Sequence, residues 1–269
     1  MTTDEAGGEQ GRSRSGIARA LAVIDVIGRS PRSLGVSTIA RETGLPKAVT
    51  HRILRELVGG RFLGFDEDSK LYRLGPGALN IGLAAMRELD VPALAHRHLV
   101  ALAERTGETA TLSLRQGWSR IYVDQVLSAQ EIRMSVALGT GHPLHAGSSS
   151  KAILAALPDA EVEDYVVHHR LDGLTDATIT SAAALREEIA RIRGLGYAVS
   201  SGERQSGAAS VAAAFHGATG QVTGSVSVCG PLDMFTLGRT QSLGAWVAAA
   251  AADISADLGH RGTAPARGP

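Results

Sequence analysis

Residues 37–57 read STIARETGLPKAVTHRILREL, and the division of this stretch into two short helical patterns decides how the rest of the chain is read. Ser37 is placed to cap a helix in which Ile39 and Ala40 face inward. Gly44 falls where a left-handed residue closes that helix. Pro46 suits the first position of a second helix, where its missing N–H costs nothing. At about 100° per residue, Thr50, Ile53, Leu54 and Leu57 share one arc of that second helix. Ala48, His51, Arg52 and Arg55 take the opposite arc, with Lys47 at its edge. Two helices joined by a tight turn, with cations on the outer side of the second, describe a helix-turn-helix that would lay its second helix in the major groove of DNA. Taken alone, the same cationic arc also suits a solvated helix face.

The flanking sequence fits that reading. An i, i+3, i+4, i+7 stripe begins at Ile17 and runs through Ala20, Leu21, Ile24 and Ile27 until Ser30-Pro31 stops it. Downstream, Arg61-Phe62-Leu63-Gly64-Phe65 and Lys70-Leu71-Tyr72-Arg73-Leu74 flank the polar turn Asp66-Glu67-Asp68-Ser69, which reads as a hairpin. Three helices and a hairpin make a winged helix-turn-helix, with Lys70, Tyr72 or Arg73 of the wing turned toward phosphates. Gly75-Pro76-Gly77 reads as a hinge-like break. Helical spacing at Leu79, Leu83 and Met86 then predicts a linker helix ending before Asp90.

A second domain follows. Residues 92–106 predict an amphipathic helix closed by Gly107. Strands are expected at 109–114, 120–126 and 132–138, an irregular loop at 139–147, and helices at 148–156, 159–168 and 181–193. A strand at 197–200, a hairpin of 210–216 and 222–229, and a closing helix within 232–258 complete it. The fold class is α+β in two domains. The divisions are a disordered tail at 1–15, the winged helix-turn-helix at 16–75, the linker helix at 76–90, an effector-type domain at 91–259 and a flexible tail at 260–269.

Composition narrows the function classes. The chain has 269 residues, 44% of them hydrophobic, enough for about two cores. The single cysteine, Cys229, excludes an internal disulfide and, with no signal-like start, suggests the cytoplasm. No apolar run approaches the roughly 18 residues of a membrane span, so no membrane partner is expected. Net charge is zero, but residues 11–75 carry 12 Lys and Arg against 6 Asp and Glu. Residues 76–269 carry 15 against 18. A basic module on a mildly acidic body is the asymmetry of a nucleic-acid binder with a regulatory partner domain.

Six segments in order resemble the IclR family of bacterial transcriptional regulators. They are IARALAVIDVIG, STIARETGLPKAVTHRILREL, LYRLGPGALNIG, GTGHPLHAGSSSKAILA, RGLGYAVSSGE and GSVSVCGP, and the resemblance runs from about residue 16 to about 258. It implies a winged helix that binds double-stranded operator DNA, in a homodimer or dimer of dimers. It also implies a GAF-like domain, with an antiparallel sheet, that binds a small organic effector. The DNA-contact set is then Ser37, Thr38, Lys47, Ala48, Val49, His51, Arg52 and Arg55, with Lys70, Tyr72 and Arg73 of the wing. Where the family often carries Ser-Thr-Val after the lysine, this chain has Ala48-Val49-Thr50. That removes one hydroxyl from the DNA face and leaves Thr50 to bond back to a carbonyl one turn earlier.

In the second domain, His145-Ala146-Gly147-Ser148-Ser149-Ser150 puts small residues at a loop-to-helix junction, where free amides and the helix dipole favour an anion such as a carboxylate. An ordinary capped helix explains Ser148 equally well. Asp124, Met134, Glu203, Ser210, Ser227 and Cys229 are further candidates to line the effector pocket. His142 and His145 have an H-x-x-H spacing but no acidic or thiol partner nearby, so neither metal nor cofactor is expected. Cys229 reads as a small buried hydrophobe. Asp124, His145 and Ser148 could compose a triad, yet no G-x-S-x-G elbow accompanies them, and catalysis is not expected. The reading is an effector-responsive regulator, with repression favoured. Its rival is a ligand-binding protein or metabolic enzyme that keeps a vestigial DNA module.

Overall fold

Helix α1 (Gly16–Arg29) starts where Ser15 Oγ accepts the Ala18 amide at 3.2 Å. Val23 and Ile27 are its buried residues, whereas Ile17 and Leu21 of the expected stripe are 75% and 60% exposed. This computed structural model describes residues 15–88 and 90–261. The tails expected at 1–15 and 260–269, apart from Ser15, His260 and Arg261, therefore lie outside the described residues, as does Leu89. The chain divides between residues 89 and 90 into two compact units.

In the first unit, a two-residue strand β1 (Leu34–Gly35) leads straight into α2 (Val36–Thr43). The helix therefore starts two residues early, and Gly35 rather than Ser37 occupies the cap position. Gly44 takes φ +70°, the left-handed closure that the sequence predicts. Helix α3 (Lys47–Gly59) begins after Pro46, which serves as the cap. Thr50 Oγ1 donates back to the Pro46 carbonyl at 3.2 Å. Strands β2 (Leu63–Asp66) and β3 (Leu71–Leu74) form the hairpin, and the small sheet runs β1-β3-β2.

Val23, Ile27, Ile39, Leu54, Leu63 and Tyr72 make this unit's core. Gly75-Pro76-Gly77 is no hinge: the Gly75 and Gly77 amides bond the Phe62 and Arg61 carbonyls at 2.8 and 2.9 Å. A Cβ on Gly75 would sit 2.7 Å from the Arg61 carbonyl oxygen, so only glycine allows the strap. Helix α4 (Pro76–Glu88) starts directly from it.

The second unit opens with α5 (Val91–Thr106), capped by Asp90 Oδ1 on the Ala93 amide and closed by Gly107 at φ +73°. Its antiparallel sheet has the order β6-β5-β4-β9-β8-β7. The strands are β4 (Thr109–Gln116), β5 (Ser119–Val126), β6 (Gly141–Pro143), β7 (Ala198–Ser201), β8 (Ala208–His216) and β9 (Val222–Pro231). Helices α6 (Ser148–Ala156), α7 (Asp159–His168), α8 (Ala182–Leu195) and α9 (Leu237–Asp257) complete the order.

Two expectations give way here. Residues 132–138 are not a strand, and part of the expected loop at 139–147 is one, β6. The 132–138 backbone finds another partner: the Gln125 side-chain amide bonds the Val136 carbonyl and amide at 3.1 and 3.0 Å, standing in for one rung of a ladder. The sheet is covered on both sides. Ala110, Leu112, Val211, Phe215, Val226 and Val228 face a core shared with α5 and α9. The other side lies toward α6, with α7 and α8 packed in the same cluster. On that side β4 and β9 present Thr109, Thr111, Ser113, Ser225 and Ser227, all buried. A polar face under a helix must find partners or hold something polar.

Candidate functional site

The outer side of α3 follows from its inner side. Thr50 and Leu54 are buried and Ile53 and Leu57 half-buried, which leaves Lys47, Ala48, His51, Arg52 and Arg55 exposed along one face. Among the described residues none of these cations forms an ion pair. Val49 and Thr38 are half-buried, and Ser37 is exposed at the start of α2. On the wing, Lys70 and Arg73 are exposed, with Lys70 Nζ 6.0 Å from the centroid of the Phe65 ring.

Tyr72 departs from the expectation. It is 5% exposed and packs in the core with its ring 4.7 Å from that of Phe65. In strand β3, successive side chains alternate, so Arg73 points out because Tyr72 points in. The turn tip is acidic: Asp66 Oδ1 accepts the Asp68 and Ser69 amides at 3.0 and 2.9 Å, and the Ser69 bonds hold its carboxyl below the usual range.

In the second unit a cavity of about 260 Å³ lies against the polar side of the sheet. Of the expected pocket residues, it takes in Met134, Gly147, Ser148, Ser149, Ser210 and Cys229. Ser148 Oγ donates to Ser210 Oγ at 2.7 Å. Burial first, and then Glu108, push the Cys229 thiol up to about 12, which keeps it protonated and a poor nucleophile.

The remaining five do not line it. His145 is buried, with Nδ1 3.1 Å from the Tyr165 hydroxyl and Nε2 3.0 Å from the Asp172 carbonyl, so it anchors the loop from behind. Ala146 is buried beside it. Ser227 is closed off by Thr111 at 2.6 Å. Glu203 is 6% exposed and works as a clamp: Oε2 accepts the Gly147 amide at 2.9 Å while Oε1 takes the Lys151 ammonium. Lys151 Nζ also donates to Glu188 Oε1 and the Val199 carbonyl, at 2.7 and 2.8 Å. One amide expected to be free for a ligand is therefore already used. The first-turn amides of α6 still lack intrahelical carbonyls.

Asp124 is displaced by a bulge. Ser113 pairs with Tyr122 but Leu112 pairs with Asp124, so Val123 is an extra residue on β5. Such an insertion swaps the faces of everything beyond it. Asp124 thereby turns from the cavity to α5, where Oδ2 lies 2.7 Å from His96 Nδ1. Asp124, His145 and Ser148 thus hold three separate sets of partners, and no triad assembles.

The bulge leaves Arg120 and Tyr122 facing the cavity, and these, with Arg204 and His142, are cavity residues that the sequence did not reveal. Arg120 is fully buried, with Nε on Ser150 Oγ at 2.8 Å, Nη1 on Ser113 Oγ at 3.0 Å and Nη2 on the Tyr122 hydroxyl at 3.0 Å. Arg204 donates from Nη1 to the same Tyr122 hydroxyl at 2.9 Å, and its Nη2 lies 3.0 Å from His142 Nε2. Burial first, then Arg204 and Arg120, push the His142 imidazole down to about 4, so it accepts that bond as a neutral ring. Gly147 takes φ +88° and ψ 156°, and a side chain there would meet Arg204 Cδ at 2.8 Å, so both the backbone and the space call for glycine.

Comparison with known proteins adds an independent line. The model of the bacterial transcriptional regulator IclR C-terminal domain matches residues 83–256, and that of the IclR helix-turn-helix domain matches residues 16–67. The HTH-type transcriptional repressor AllR of Klebsiella pneumoniae is 31% identical over 243 residues, covering 90% of this chain and 89% of that protein. The crystal structure of Thermotoga maritima IclR superposes with a TM-score of 0.62 at 30% identity, over 91% of this chain and 98% of that one. A protein of Silicibacter sp. TM1040 assigned to the IclR regulators gives a TM-score of 0.84 at 26% identity, over 92% and 97%.

Proposed function

The chain belongs to the IclR family of bacterial transcriptional regulators, and on that footing we propose that it is a repressor whose operator binding is set by a small organic acid held in the second unit. One contrast carries the reading: the first unit exposes cations that form no ion pair among the described residues on the outer helix of a helix-turn-helix, and the second lines a cavity of about 260 Å³ with the buried Arg120 and the half-buried Arg204. Exposed cations at the N-terminal end of α3 suit base edges, and those further along suit the phosphate backbone. Lys47 and His51 take the first role, and Arg52 and Arg55 the second. Lys70 and Arg73 of the wing add phosphate contacts, without Tyr72.

The functional unit is a homodimer or a dimer of dimers. Exposed apolar side chains on the first unit support it: Ile17 and Leu21 on α1, and Leu79 and Ile81 on α4, are each at least 60% exposed. A twofold pair would set its recognition helices about 34–36 Å apart, or a multiple of that, on a pseudopalindromic site. Effector binding shifts a pre-existing equilibrium between arrangements of the paired heads, transmitted through α4. Among the described residues no helix is long and apolar enough to cross a membrane, and we assign the protein to the cytoplasm, where its DNA lies. A catalytic role is not proposed.

Fluorescence anisotropy with the DNA upstream of the protein's own gene tests the reading. The full chain should prefer that DNA to random duplex by roughly a thousandfold or more. Equal affinity for both would leave only non-specific binding and end the repressor reading.

A further inference from the structure

We propose that the cavity selects a compact organic dianion: two carboxylates on a short carbon skeleton, one charge for each of Arg120 and Arg204. The inference rests on the reading of this cavity as the effector site and narrows the ligand from an acid to a diacid.

Charge accounting leads to it. Two guanidinium groups share one acceptor, the Tyr122 hydroxyl, at 3.0 and 2.9 Å. Arg120 is fully buried and both groups line the cavity, yet no Asp or Glu does. Neither arginine forms an ion pair among the described residues. The nearby carboxylates are committed elsewhere, Glu203 to Lys151 and the Gly147 amide, and Glu108 to Arg239 at 2.6 Å. All the hydrogen-bond partners of Arg120 and Arg204 are neutral: Ser113, Ser150, Tyr122 and His142. Hydroxyls and an imidazole satisfy N–H groups, but they do not cancel charge. A buried cation without an anion is costly, and two side by side repel as well. Arg204 is half-buried at the cavity wall, so a monoanion held by Arg120 would leave that second charge uncancelled. A dianion cancels both.

The rest of the wall fixes the skeleton. Met134, Val136 and Ala137 supply apolar lining, and Ser148, Ser149 and Ser210 supply neutral hydroxyls. At about 260 Å³ the space is smaller than the roughly 300–1,000 Å³ of pockets for drug-sized ligands. A short diacid, aliphatic or on a single ring, fits the combination.

Calorimetric titration of the full chain with matched pairs tests it: glutarate against its half-amide glutaramate, and phthalate against phthalamate, with inorganic phosphate as a dianion lacking carbon. Each half-amide keeps the shape and removes one charge. At least one diacid should bind about tenfold or more tighter than its half-amide, the difference between a charged and a neutral hydrogen-bonded pair. It should also bind tighter than phosphate. Arg204→Gln should bring the diacid down to the half-amide's affinity, and so should Arg120→Gln. If Arg120→Gln fails to fold, the Arg204→Gln arm decides alone. A half-amide binding as well as its diacid overturns the dianion and leaves a monocarboxylate effector standing. Phosphate outbinding both diacids, or a preference that survives Arg204→Gln, also overturns the assignment. If no compound binds, the dianion falls together with the effector-site reading beneath it.

Discussion

Two sets of cations in this molecule carry the same charge in opposite surroundings. Lys47, Arg52 and Arg55 stand in solvent on α3, while Arg120 is buried under α6 and Arg204 borders the same cavity. In water a cation keeps its hydration, costs little to hold and acts at long range, which suits a polyanion met at many phosphates. Under a helix the hydration is gone, so the protein supplies three hydroxyl acceptors to Arg120 and still leaves the charge uncancelled. Solvent exposure makes the first set tolerant of substitution and sensitive to salt. Burial makes the second set selective for what completes it.

Lys151 sharpens the contrast, because it is as buried as Arg120 but fully paired, with Glu188 and Glu203. Lys151→Met strands the buried Glu203 carboxylate, while the half-buried Glu188 keeps Arg191, and should cost about 3–5 kcal/mol in urea unfolding. Arg120→Met removes a charge that had no counter-ion and should cost at least about 2 kcal/mol less than that. Equal losses would mean that Arg120 is compensated by something other than a bound anion.

The exposed set is probed by Lys47→Ala combined with Arg52→Ala. Operator affinity should fall by roughly tenfold or more, and the slope of log affinity against log salt should flatten by about 0.9, for the phosphate that Arg52 meets. Diacid binding to the second unit should be unchanged. An undiminished salt slope would move phosphate contact away from α3.

These two sets were not equally legible in the sequence. The α3 face could be read because a helix's faces follow from spacing alone, and Thr50 and Leu54 fixed which side was inner. Gly44 and Pro46 marked the turn between the helices to within a residue. Arg120 could not be read, because which side a strand residue faces depends on register, and one extra residue at Val123 put Tyr122 and Asp124, which alternation would place together, on opposite sides. Arg204 sits in a bend after β7, where no periodicity exists to orient it. Residues 132–138 alternate like a strand yet pair with the Gln125 side chain, a contact between positions that only the fold brings together. Tyr72 was misplaced for the converse reason: strand alternation allowed either Tyr72 or Arg73 outward, and the core took the aromatic ring.

Gly147→Ala addresses the junction between loop and cavity. Its backbone lies in a region open essentially to glycine, so the strain should be about 1–3 kcal/mol. Displacement of Arg204 should weaken diacid binding while operator binding without ligand stays intact. Unaltered diacid affinity would separate Arg204 from the ligand.

His142 gives a smaller, pH-dependent effect. Its imidazole is pushed from 6.5 to about 4 in the folded protein, by burial and then by the two arginines. Between those values the unfolded chain takes up a proton there that the native chain refuses, so stability should fall as pH drops through that window. His142→Gln should flatten that portion of a stability–pH curve. An unchanged curve would place the ring in solvent.

The smallest effects belong to the wing. Lys70→Ala should lower operator affinity by a few-fold and reduce the salt slope by about 0.9. Tyr72→Phe should leave operator affinity unchanged, since the hydroxyl belongs to a buried ring.

Communication between the two cation sets is what would make this molecule a regulator. Linkage requires that a ligand altering operator affinity have its own affinity altered by operator to the same factor. The direct measurement is calorimetric titration of the tighter of glutarate and phthalate into the full chain, once free and once saturated with operator DNA. The two dissociation constants should differ by at least about fivefold, and that diacid should change operator affinity by the same factor. Identical constants in the two titrations would contradict the account, leaving a DNA-binding unit and an acid-binding unit that share a chain without coupling.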